Sequence, residues 1–259
     1  MKPQGRGRSM SKYSEVAGQL RGAIERGEYP RGSALPSEEK LAEEHGVSRP
    51  VVNRAIRLLR SEGLVRVERG RGTVVHEIPP ISRHATARYT KEARERGQSR
   101  GAFATEVREM GHEPRSVLAQ LGPVIPPEEV AESLQMEADE VAAIRKRHMF
   151  ADDVPVQIAT SYVPWSIAAG TPITQEDTGQ GGTYSRLADL GYPVVRFTER
   201  IAVRMPEADE AVVLRLAEEQ PVYVIHHIAW TAEVRPVEVT VHVMPVHQWR
   251  LEYEWEVPS

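Results

Sequence analysis

Residues 48–60, SRPVVNRAIRLLR, constrain the fold more than any other stretch of this chain. At about 100° per residue, Val52, Ala55, Ile56 and Leu59 fall on one side of a helix. Arg49, Asn53, Arg57 and Arg60 fall on the other, with Pro50 and Arg54 on its flank. The spacing predicts a helix that buries one face and offers the other to a polyanion. Ser48 stands where an N-cap belongs, and Pro50 falls in the first turn, where a missing N–H is harmless. Arginine takes a guanine edge bidentately or clamps a phosphate, and asparagine pairs with adenine in the major groove.

The flanking residues supply a frame for that helix. From Tyr13, the apolar residues Val16, Ala17, Leu20 and Ile24 form the stripe of a first helix, closed by Gly27, Pro30 and Gly32. Ser37 caps a short second helix with Glu38 and Glu39 in its first turn, Leu41 and Ala42 inward, and Gly46 as its stop. After Gly63, LVRVERGRGTVV alternates apolar and polar residues on both sides of RGRG, as a β-hairpin does. Its tip carries Arg69 and Arg71 between glycines; alone, this is equally a solvated surface hairpin. Two helices, a three-residue turn between them and a basic hairpin together describe a winged helix-turn-helix.

Charge divides the chain in the same place. The whole sequence carries 33 Lys+Arg against 37 Asp+Glu, yet residues 1–76 hold 15 and 9 of these, and residues 77–259 hold 18 and 28. A basic first part joined to an acidic second part points to a polyanion partner for the first alone.

The stretch LPSEEKLAEEHGVSRPVVNRAIRLLRSEGLVRVERGRGTVV, residues 35–75, resembles the DNA-binding domain of the GntR family of bacterial regulators. The resemblance implies a homodimer on a palindromic, double-stranded DNA operator, read by the third helix and the wing. The DNA contacts it implies are Arg49 and Arg54 from the helix and Gly70, Arg71 and Gly72 from the wing; the capped, outward helix face adds Ser48, Pro50, Asn53 and Arg57, and the hairpin tip adds Arg69. Pro50 and Val51 replace the family's frequent threonines, Asn53 replaces an arginine, and Glu39 stands where many members place a DNA-touching arginine. An operator distinct from the commoner sites follows from these departures.

The expected domains are a reader over 10–76, a linker over 77–101 with a possible short helix, and a second domain over 102–259. In the last, segments 115–125, 141–150, 155–164, 197–205, 221–230 and 236–246 read as strands. Segments 127–136, 183–192 and 207–219 read as helices, the last with Val212, Val213 and Leu216 inward. No internal repeat is evident. The fold class is α+β, with a mostly antiparallel sheet behind the winged helix. The element order, with R-x-R, P-V-x-x-x-x-S-Y-V-P and R-P-V-E, resembles the effector-binding UTRA domain of the HutC branch of GntR regulators. That resemblance implies a chorismate-lyase-like fold, a small and often anionic effector, and release of the operator on binding.

Arg145 and Arg147 are two apart on one strand, so both leave the same face, either as an anion clamp or as a solvated edge. TGQGGTY, 178–184, is a glycine loop before a helix start, either a ligand cradle or a plain mobile loop. From the UTRA pattern Tyr184 and Glu238 transfer as effector contacts, whereas Ala159 replaces a frequent glutamate. His226 and His227 are adjacent on a strand and face oppositely, and Asp152 and Asp153 fit a turn, so no metal site is expected. Without cysteine, disulfides and thiol chemistry are excluded, and no cofactor fingerprint is present. No apolar run is long enough to cross a bilayer, so cytoplasm, at the nucleoid, is the expected compartment and no membrane partner is expected. The expected function is an effector-released repressor rather than an enzyme; a lyase-like activity and an effector-free DNA-binding dimer are the alternatives.

Overall fold

The computed structural model describes residues 11–85, 101–179 and 181–255. The chain divides into two compact units, Met1–Pro79 and Pro80–Ser259.

In the first unit, α1 (Lys12–Glu25), α2 (Glu38–His45) and α3 (Arg49–Ser61) precede a hairpin of β1 (Val65–Glu68) and β2 (Gly72–Val75). The apolar stripes read from the sequence meet in one core: Leu20 from α1, Leu41 from α2, Val52, Ile56 and Leu59 from α3, and Val65 and Val75 from the hairpin. Burying each such leucine contributes roughly 1.5–3 kcal/mol. Ser37 Oγ accepts the Lys40 N–H at 3.3 Å, and Gly46 closes α2 at φ 62. Ser48 occupies the N-cap of α3 but makes no side-chain cap bond. Its carbonyl receives the Val51 and Val52 N–H groups instead. Glu68 opposes Gly72, which leaves Arg69, Gly70 and Arg71 as the hairpin tip.

The second unit is built on a six-stranded antiparallel sheet in the order β4-β5-β6-β9-β8-β7. Its strands are β4 (Pro114–Val124), β5 (Ala142–Ala151), β6 (Val154–Pro164), β7 (Arg196–Arg204), β8 (Val222–Trp230) and β9 (Pro236–Pro245). Two helices, α5 (Glu128–Leu134) and α8 (Ala208–Leu214), pack on one face through Val130, Leu134 and Leu214. Around the other face lie α6 (Trp165–Ala168), a 3-10 turn at Pro172–Thr174 and α7 (Gly182–Asp189), whose Ile167, Ile173 and Leu187 join Ala143 and Val163 of the sheet.

An internal repeat is present, contrary to the sequence reading. The succession β4-α5-β5-β6 recurs as β7-α8-β8-β9, and the strand order is symmetric about the β6–β9 pair. Backbone details recur about 80 residues apart. Gln135 and Arg215 end their helices at φ 56 and 54. Glu137 N–H donates to Glu140 Oε2, and Ala217 N–H to Gln220 Oε1, both at 2.8 Å. Few side chains are shared, so the duplication shows in the backbone and not in the letters.

Other expectations change as well. Ile81–His84, inside the expected linker, forms β3, paired in parallel with β10 (Trp249–Glu252). The expected linker's possible short helix has no counterpart placed before 101, since 86–100 lie outside the described residues, and α4 (Gly101–Glu109) follows. The last helix stops at Leu214 rather than 219, because Arg215 turns left-handed. Val212 points outward, 78% exposed, while Leu214 is the buried residue. Asp152 sits at φ 51 in the β5–β6 turn, in keeping with the turn read from its sequence.

Candidate functional site

On the first unit, α3 presents Arg49, Pro50, Arg54 and Arg57 to solvent with Asn53 half-buried between them. These five and Glu38 line one concavity. Asn53 is engaged at both ends of its amide: Nδ2 donates to Glu38 Oε1 at 3.1 Å, and Oδ1 accepts from Arg57 Nε at 3.0 Å. An adenine contact by Asn53 therefore requires both bonds to be exchanged. The Arg57 terminal nitrogens remain outside that relay, aimed by it. Arg49 Nη1 lies 3.6 Å from Glu39 Oε1, and the Arg54 guanidinium rests over the Tyr13 ring at 5.2 Å.

At the wing, Gly70 and Gly72 take φ 85 and 81, which L side chains rarely adopt. Arg71 is tied back, Nη1 to Glu68 Oε2 at 2.7 Å and Nη2 to the Gly32 carbonyl at 2.9 Å. Arg69 is exposed and makes no such contact, so it is the wing arginine that extends outward. Below it, Arg66 binds Glu77 and Glu68 and holds the hairpin base. Next to that base, burial lowers the His76 imidazole to about 4.

On the second unit, register sets the polar residues in rows across one sheet face. Arg145 opposes Ser161, Ser161 opposes Thr240, Thr240 opposes His227, and His227 opposes Glu199. The neighbouring row runs from Arg147 through Ala159 to His242, and Glu238 lies one step to the other side, opposite Ala229. Directly opposed residues share a face, so all four expected effector residues come to one side, Tyr184 reaching it from α7.

Their states differ. Arg147 is half-buried; burial works against its charge, and Glu238 and Tyr184 oppose that effect. Its Nε is buried without a hydrogen-bond partner. Glu238 is 3% exposed, and burial pushes its carboxyl above the usual range, against hydrogen bonds from Tyr184, Ser161 and Thr240 and the charge of Arg147. Ser161 Oγ and Thr240 Oγ1 lie 2.7 Å apart, and Gln157 meets His242 Nδ1 at 2.9 Å. Arg145 does not join Arg147 as a clamp: its guanidinium donates to the carbonyls of Gln175, at 2.6 Å, and Glu176. The loop that follows contains Gly179, Gly181 and Gly182, all at positive φ, and a Cβ at Gly181 would fall 2.0 Å from Ser185 Oγ. The Gly179 N–H is held by Asp177 Oδ1 at 2.8 Å.

Residues 12–75 match bacterial regulatory proteins of the gntR family, and residues 109–249 match the UTRA domain. The HTH-type transcriptional regulator SCO4628 of Streptomyces coelicolor is 31% identical, over 96% of this chain and 94% of its own length. The chain belongs to the GntR family, with a UTRA domain. GgaR of Escherichia coli, another HTH-type regulator, is 30% identical over 88% of this chain and 85% of its own. The repressor NagR of Bacillus subtilis is 27% identical over 82% of each. The crystal structure of one GntR-family regulator superposes with a TM-score of 0.61 at 26% identity, over 96% of this chain and 99% of that one. PhnF of Mycobacterium smegmatis shares the fold, with a TM-score of 0.58 at 20% identity, over 94% and 100%.

This GntR-family protein is thus a transcription regulator, with a DNA-binding winged helix-turn-helix and an effector-binding UTRA domain. Several polar residues on the candidate site's sheet face escaped the sequence reading. Gln157, Ser161, Thr240 and His242 were reachable through strand parity, since each keeps even spacing from Ala159 or Glu238. A second cluster was not reachable. Arg83 of β3, 0% exposed at its side chain, pairs through both terminal nitrogens with Glu199. Glu199 also accepts from Tyr253 at 2.7 Å and bonds His227 Nδ1 at 2.9 Å. Burial raises the Glu199 carboxyl, yet bonds from His227, Arg83 and Tyr253 outweigh this and hold it well below its ordinary range. His227 in turn stacks on Phe197 at 4.7 Å, and Phe197 meets Tyr184 at 5.4 Å.

Proposed function

We propose that this GntR-family regulator is a cytoplasmic repressor that binds a palindromic operator as a homodimer and is released by a small anionic metabolite. The observation that carries the effector class is Arg147. A half-buried guanidinium whose Nε–H is buried without an acceptor is costly unless an anion completes it. Tyr184 and Glu238 flank it, with burial pushing the Glu238 carboxyl above its usual range. An anion on Arg147 with hydroxyl or carbonyl groups toward Glu238, Ser161 and Thr240 satisfies both ends of the site. Arg145 acts beside it, fastening the 175–176 backbone.

Repression is supported by the name of the NagR relative. Dimerisation through the UTRA domain is supported by Ile201 and Val203, exposed apolar residues on the sheet's edge strand β7. DNA contact is supported by the outward face of α3 with Arg69 of the wing.

Thermal-shift screening of the full chain against phosphorylated sugars, carboxylates and neutral metabolites tests this reading. Saturation at a hundred times Kd adds about 2.7 kcal/mol, which for a protein of this size raises Tm by roughly 5–10 °C. Anionic hits should weaken operator binding in a mobility shift, and Arg147→Met should abolish their stabilisation. A screen whose hits are all neutral, or whose hits survive Arg147→Met, contradicts the proposal.

A further inference from the structure

We infer that Glu39 and Arg49 read a single G·C base pair as a unit, Arg49 on guanine and Glu39 on cytosine. The inference rests on Arg49 being a base contact of the recognition face. In the major groove guanine offers N7 and O6 as acceptors, and its partner cytosine offers the N4 amino group as a donor. Guanine O6 and cytosine N4 are themselves Watson–Crick partners, about 2.9 Å apart. A cation and a carboxylate held side by side therefore match that edge in both spacing and polarity. The Arg49–Glu39 pair has this arrangement, at 3.6 Å. Both side chains are exposed, at 63% and 75%, so the pair is open to a ligand.

Three further observations single out this pair. Glu38, the other acid at the start of α2, is already taken by Asn53, which leaves Glu39 as the acid facing outward beside the arginines. A carboxylate next to a surface that meets phosphates is repelled by every part of the backbone. The groups on duplex DNA that it accepts favourably are base amino donors. The exposed ion pair is itself weak, so exchanging it for base contacts costs little. Glu39 thus lowers affinity for DNA in general and restores it at one base pair, which is specificity by difference.

The test begins with selection of duplexes from a random library by the full-length protein. Each cytosine of the selected half-site is then replaced in turn by N4-methylcytosine, which sets a methyl group where Glu39 would accept. Wild type should lose at least fivefold in affinity at one position. Glu39→Ala should lose less than twofold there while binding random DNA more tightly than wild type. Glu39→Gln, which keeps an acceptor oxygen, should retain the sensitivity. Arg49→Ala should fall to the random-DNA level on the selected site. If Arg49→Ala behaves so but no N4-methyl substitution distinguishes wild type from Glu39→Ala, the paired reading is wrong and the recognition face stands. If Arg49→Ala binds as wild type does, both fall together. A selected half-site without a fixed G·C pair also overturns the inference.

Discussion

Asn53 donates to Glu38 and accepts from Arg57, which makes it an organiser of the α3 face more than a free reader of bases. The net contribution of such a hydrogen bond is about 1 kcal/mol. Asn53→Ala should then weaken operator binding by roughly fivefold while selection returns the same bases. Loss of a fixed adenine in the selected site would instead establish a direct contact. His76 is a second residue with a definite expectation, from its depressed imidazole near 4, caused first by burial and then by the charge of Arg66. With the folded value below the ordinary 6.5, the unfolded chain binds the extra proton between those values. The neutral, buried form therefore costs stability as pH falls from about 6.5 toward 4, by up to about 3 kcal/mol at 1.36 kcal/mol per unit. Denaturant titrations from pH 7 to pH 4.5 should show this loss, and His76→Gln should reduce it. An equal loss in the variant assigns the acid sensitivity elsewhere.

At the scale of elements, α3 does two jobs with one helix, and its buried side can be tested apart from its exposed side. Leu59 is fully withdrawn into the core shared with α1, so Leu59→Ala should cost roughly 2–5 kcal/mol. Melting should show the first unit unfolding early while the second keeps its own transition; one unchanged transition would contradict the two-unit division. The start of α7 is set by Gly181, at φ 83 with the Ser185 side chain where a Cβ would have to stand. Gly181→Ala should displace Tyr184 and weaken anion binding, and adding Ser185→Ala should restore it only in part, because the φ strain remains. The three reader helices and the six long strands were legible because their periodicities are long, and each of the three helices is followed by a glycine. The strands β3 and β10 were not, since each has four residues and is fixed by partners far along the chain. In the candidate site, the strand parity that brings Arg145, Arg147 and Glu238 to one sheet face was legible too. Arg147, Tyr184 and Glu238 do converge, whereas the occupation of Arg145 by loop carbonyls depends on a path the sequence does not encode locally.

The whole molecule joins a basic reader to an acidic sensor, and the charge division is its largest electrostatic feature. Operator binding should weaken steeply with salt, by roughly 10³–10⁵ between 50 and 200 mM if the bound protein neutralises six to ten phosphates. A shallow dependence would mean that few of the exposed arginines reach the backbone. Within the sensor, the buried Arg83–Glu199–His227 cluster ties β3, which begins just past the unit boundary, to the same sheet face that carries Arg147 and Glu238. The central claim is that an anion at Arg147 controls what α3 does. The measurement that tests it most directly is operator affinity titrated with the most stabilising anionic metabolite, in wild type and in Arg147→Met. Wild type should lose at least tenfold in affinity at saturation, with Arg147→Met binding the operator normally and not responding. Equal responses in the two proteins, or none in wild type, would contradict the account.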